Sequence, residues 1–141
     1  MFGEPASRDI IRPPMPATYT VDKQRALVLS SASGVLTYAD LAGHFERLKS
    51  DPDFSPGFRE FFDFTGGTRV ELSSTDVKAI ANGAVFAPSA RRAFLVADKL
   101  GFALGRMAES YHELRGEENV RVFRDKDLAL RWLETGEVAG Q

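Results

Sequence analysis

The sequence predicts an α/β fold, a single domain built on a mixed, mostly parallel five-stranded sheet flanked by about four helices. Three observations predict it. Short apolar runs of strand length alternate with segments of helical periodicity. The intervals between most of those runs are long enough to hold a helix, which favours parallel neighbours joined by right-handed crossovers. The length, 141 residues with 43% apolar and 27% charged, suits one core rather than two.

The elements follow in order. Residues 1–18 carry Pro5, Pro13, Pro14 and Pro16. Proline breaks helices and withholds a ladder donor, so this reads as an irregular arm. The domain is expected over 19–135 and a short tail over 136–141. Tyr19 and Val21, then Ala26 to Leu29, flank the polar stretch Asp22-Lys23-Gln24-Arg25 and read as a hairpin, the antiparallel edge of the sheet. Ser30 to Gly34 reads as a polar turn. Thr37 and Asp40 have capping-box spacing, and Leu41, Phe45 and Leu48 repeat at helical spacing, which predicts a helix over about 37–50.

Pro52 and Pro56 make 51–57 a loop. Phe61, Phe62 and Phe64 crowd into a short run, too apolar on both faces to meet water, and predict a buried central strand over 59–64. After Gly66-Gly67, Val70 and Leu72 mark a short extended piece. Ser73 and Asp76 open a second helix, with Val77, Ile80 and Ala81 inward. Arg92 to Ala97 is the next strand, and Asp98 caps a third helix reaching about Arg115, stopped by Gly116. Val120 to Phe123 is the last strand. Asp125 caps a final helix with Leu128, Ala129, Trp132 and Leu133 on one stripe, closed by Gly136.

Composition narrows the function. Eighteen basic and twenty acidic side chains give a net charge of -2, so no bulk attraction to nucleic acid is expected. The absence of cysteine excludes disulfides, thiol nucleophiles and thiolate metal ligands, and two histidines are too few for a histidine-based metal site. No apolar window has the length of a signal core or a membrane span, so a cytoplasmic protein is expected. No cofactor is expected either. Gly66-Gly67 lacks the further glycine and the lysine of a phosphate loop.

The blocks DPDFSPG (51–57), FFDFT (61–65), GFALGRMAES (101–110) and VRVFRDKDLALRWL (120–133), set in a strand-strand-helix opening followed by three strand-helix units, resemble the STAS domain. The likeness covers roughly residues 18–135. It is to the anti-sigma-factor antagonist type, stage II sporulation protein AA, and within that type to a bacterial branch of antagonist-like proteins. The resemblance implies a non-enzymatic regulatory module acting through a protein partner. It also implies a phosphorylated serine opening the helix after the central strand, for which Ser73 and Ser74 are the candidates. Leu72 intervenes between Glu71 and these serines, and Thr75 stands where the family pattern has glycine. Read from the residues alone, Ser73 is a helix cap.

Other candidates are weighed the same way. Gly101, Gly105 and Ala108 form a stripe of small residues on the third helix, suited to close packing on the sheet, to self-association as a homodimer, or to a ligand near the backbone. Arg106 follows it. Arg91 and Arg92 lie at the opposite end of the fourth strand of this reading, so the three arginines are not expected to share one anion. Phe54 and Phe58 on the proline loop either fold back onto the core or offer an interaction surface. The carboxyl edge of the sheet gathers Ser30, Ser31, Ser33, Asp63, Thr65 and Asp98. His44 is expected to face outward and His112 to be solvated, so no residue is assigned a catalytic role. The alternative to a protein-interaction module is a small-molecule or lipid carrier, which calls for an apolar cavity under the third helix.

Overall fold

The computed structural model describes residues 15–83 and 85–137. The arm expected over 1–18 lies mostly outside the described residues, as does most of the tail. The first strand, β1 (Ala17–Asp22), begins two residues earlier than the sequence suggests and pairs antiparallel with β2 (Leu27–Ala32). β3 (Gly34–Thr37) leads into α1 (Tyr38–Lys49). Then come β4 (Arg59–Asp63), β5 (Thr68–Glu71) and α2 (Ser74–Ala81). β6 (Arg92–Leu95), α3 (Lys99–Leu114), β7 (Val120–Phe123) and α4 (Lys126–Thr135) complete the chain.

The main sheet has the order β1-β2-β4-β6-β7, and every pairing except the first is parallel. This is the mixed, five-stranded, helix-covered sheet that the alternation of runs predicts. β4 is central because Phe61 and Phe62, successive residues, point to opposite faces and both are buried. On one face Leu27, Phe61, Ala93 and Leu95 pack with Ala129, Trp132 and Leu133 of α4. The other face lies beneath α1, α2 and α3, with Phe62 at its centre.

The expected turn over Ser30 to Gly34 is not a turn. Ser30 is buried within β2, and the chain continues through Ser33 into β3, which pairs in parallel with β5 as a second, two-stranded sheet. Leu36 and Val70 turn inward from this small sheet against Phe62 and Phe64. It therefore roofs the carboxyl edge of the main sheet.

Local chemistry fixes the helix starts. Thr37 with Asp40 and Ser73 with Asp76 form reciprocal capping boxes, while Asp98 and Asp125 accept from Gly101 N and Leu128 N. α4 is tied down at its other end: Arg59 Nη1 and Arg91 Nε donate to the Leu133 carbonyl, each at 3.0 Å. Two guanidinium groups thus meet the negative end of that helix.

Candidate functional site

The candidate site is an apolar cavity of about 80 Å³ between the sheet and the helices above it. Its floor is aromatic because Phe62 and Phe94 occupy adjacent positions on β4 and β6, and Phe64 continues the row. Phe62 and Phe64 stack with centroids 4.3 Å apart. Leu41 and Phe45 of α1 and Val70 and Leu72 around β5 close one side. Val77, Ile80 and Ala81 of α2 close another, and Leu104 and Ala108 of α3 form the lid.

The small stripe on α3 explains how this helix lies so close. A Cβ on Gly105 would stand 2.7 Å from Val122 Cβ and closer still to Val122 Cγ2. One on Gly101 would meet Val96 Cβ at 3.2 Å. Gly105 is buried against the sheet, and Gly101, Gly105 and Ala108 all line the cavity as well. Glu109 secures the helix by accepting from Val122 N at 2.6 Å, on the edge strand β7.

At the carboxyl ends of β4 and β6 the cavity is adjoined by a wider hollow, its mouth, of about 300 Å³, which shares Phe64, Val70, Val96 and Gly101 with it and is edged by Thr65, Thr68, Arg69, Asp98 and Leu100. Leu100 is 59% exposed there. The cavity alone is smaller than the roughly 150 Å³ of an apolar void that takes up benzene, so an organic ligand would need both spaces.

The far end is polar. Glu60, fully buried, accepts from Ser30 Oγ at 3.2 Å and from Arg92 Nε at 3.1 Å. Burial pushes its carboxyl up from the usual range, against the pull of Arg92 and Ser30. The Arg92 guanidinium also sits 4.3 Å from the Phe86 ring centroid, so its face is shielded from water. Beside it His112 Nδ1 and Glu117 Oε1 are 2.8 Å apart. Burial, then the Arg92 charge, lower the His112 pKa below its usual value.

The expectations for the histidines are both corrected. His112 is buried and paired, not solvated. His44 does not face outward: it is 0% exposed, wedged against Tyr19, Phe45 and Phe62, and both ring nitrogens lack a hydrogen-bond partner among the described residues. Burial, with Arg47 and Arg92 nearby, lowers its pKa to about 4. Parity carries part of this in the sequence, because Glu60 is two residues from Phe62 and must share its face. His44 lies between the helical positions Leu41 and Phe45 and Leu48, so the apolar stripe was broad enough to include it.

The other candidates are placed as follows. Ser73 Oγ accepts from Asp76 N at 3.1 Å, and Ser74 is exposed at the first helical position. Phe54 and Phe58 fold back: Phe54 lies 5.1 Å from Phe86 and both pack at the foot of the core. Arg106 is exposed and pairs with Glu109 at 3.5 Å, far in role from Arg91 on the α4 carbonyls and Arg92 on Glu60, so the three arginines do not converge. The hydroxyl and carboxyl groups of the sheet edge are dispersed too. Ser30 turns inward to Glu60, Asp63 accepts from Thr65 and borders a shallow hollow beside β1 and β2, and Asp98 caps α3 at the mouth. Among the described residues there is no group of three or more His, Asp or Glu able to hold a metal, and no helix long and apolar enough to cross a membrane.

No protein-family model matches the chain, and no curated protein matches it in sequence. Among solved structures it is similar to an uncharacterised protein of the DUF3478 family from Shewanella loihica PV-4, described as having a SpoIIAA-like fold. The two are 21% identical, with a TM-score of 0.58, over 86% of this chain and 97% of the other. The likeness expected from the sequence blocks is thereby met at the level of architecture: the chain has the SpoIIAA-like fold.

Proposed function

We propose that this protein is a non-enzymatic binding domain that takes up a small aliphatic molecule or a single lipid chain. The observation that carries the reading is the cavity under α3, apolar on every side but one and adjoined by a second hollow at the carboxyl edge that shares four of its lining residues. Ligand sites are concave, mostly apolar and supplied with a few convergent polar groups, and open α/β sheets place them at this edge. The catalytic reading has less support, because Asp63 and Asp98 border different hollows. The phosphoserine reading has less as well, since the Ser73 oxygen is committed to its helix cap. Ser74 remains exposed and free for modification in a regulatory version of the same domain.

The test is a methyl NMR titration with 1-octanol. Shifts are expected at Val70, Ile80 and Leu104, which line the cavity, and not at Leu27 or Leu133 beneath α4. Ala108→Leu, which fills the cavity from α3, should abolish them while the melting temperature holds or rises. Unmoved methyls up to the solubility of the alcohol, or equal shifts on the α4 face, would remove the proposal.

A further inference from the structure

Two polar side chains, Arg92 and His112, line an otherwise apolar cavity, and both are held in fixed roles. Arg92 donates Nε to Glu60 Oε1 and holds Nη2 in ion-pair contact with the same oxygen at 3.1 Å, and its Nη1 has no hydrogen-bond partner among the described residues. His112 faces Glu117 through Nδ1. In the tautomer that donates Nδ1–H to Glu117 Oε1, Nε2 is left as an acceptor with no partner among the described residues. Nη1 and Nε2 are thus the polar groups that these two residues leave over in the cavity they line.

We propose that Arg92 and His112 form a head-group site, and that the ligand is a linear aliphatic molecule entering head first whose terminal group is neutral and both donates and accepts a hydrogen bond, as a primary alcohol does. This rests on reading the cavity as a ligand site and goes further by naming the head group and its two partners. The hydroxyl oxygen accepts from Arg92 Nη1 and its proton is donated to His112 Nε2. Neutrality follows from charge balance. The Arg92 charge is already matched by Glu60, so a carboxylate would bring an uncompensated charge into a buried place, and His112, held neutral, does not offset it. Depth fits a chain rather than a compact ring. Gly101, shared with the mouth, and His112 both line the cavity from one helix, about 16 Å apart along it at 1.5 Å per residue.

Calorimetric titrations of the full chain at pH 7 with 1-octanol, octyl methyl ether and octanoate test this. The ether has the same tail and can accept but not donate. The alcohol is expected to bind about tenfold more tightly than the ether, the worth of one well-made hydrogen bond, and octanoate more weakly than the alcohol. In His112→Leu the alcohol and the ether should bind alike. A measurement on the unsubstituted protein stands beside the variant: the nitrogen resonance of His112 Nε2 should move on adding octanol and stay on adding the ether, with His44 as internal reference. Alcohol and ether binding equally to the unsubstituted protein, tighter binding of octanoate, or a His112 resonance indifferent to octanol would overturn the head-group site while leaving the carrier reading standing. No binding of any octyl compound would overturn both.

Discussion

At the scale of single residues, the most unusual group is His44. A fully buried imidazole whose two nitrogens are unpaired among the described residues costs desolvation and returns no hydrogen bond from them. Its titration is also set against the fold. With a folded pKa of about 4 and an ordinary value of 6.5, the unfolded chain binds the proton first as pH falls, so stability is full above about 6.5, declines through that window and levels off below 4. The loss from this residue is roughly 3 kcal/mol, from the width of the window at about 1.4 kcal/mol per unit. His112, also lowered, adds in the same direction. His44→Leu should be at least as stable as the parent at pH 7 and show a shallower decline toward pH 4 in chemical denaturation. An undiminished acid slope in that variant would show that His44 is not its source.

At the scale of elements, α3 is placed by what it lacks. Glycine at 105 lets the helix backbone approach Val122, and nothing larger fits without moving either partner. Gly105→Ala should therefore destabilise by about 1–3 kcal/mol in urea titration, even though alanine is the better helix former. A gain in stability would mean that the helix can lift off the sheet at little cost. Glycine spacing on this helix was legible in the sequence, but the choice between sheet, second copy and ligand was not, because periodicity gives a face and not its neighbour. α2 offers the complementary case. Its start was legible because the capping box is written within four residues, and Ser73→Ala should cost about 1 kcal/mol by thermal or urea unfolding.

At the scale of the whole molecule, Glu60 and Arg92 join adjacent central strands beneath all three helices of one face. Glu60 is 0% exposed and the Arg92 side chain about a tenth exposed, so either charge left without its partner stays largely desolvated. Glu60→Met or Arg92→Met alone should cost about 3–5 kcal/mol, whereas the double substitution should lie close to the parent, since a well-packed apolar pair avoids desolvation altogether. Calorimetric melting of the three variants decides it, and a double variant as unstable as the sum of the singles would show that the polar end serves packing in another way. The same experiment separates architecture from recognition. If the double variant folds normally, the pair is not required by the sheet, and its part is then sought in the cavity that Arg92 lines.

The sequence by itself determined the order of strands and helices, the helix starts and the identity of the central strand, because capping boxes, proline breaks and apolar runs are local and act within a few residues. Even there it missed β3, whose four residues Gly34 to Thr37 are too few to show an alternation and are held by pairing with a distant strand. Only the tertiary structure decided which faces the histidines take, which carboxylate meets which guanidinium, and that an apolar void remains under α3. Those properties depend on residues thirty or more positions apart arriving at one place, and the physical reason they escape the sequence is that burial is a property of the packed layer, not of the residue.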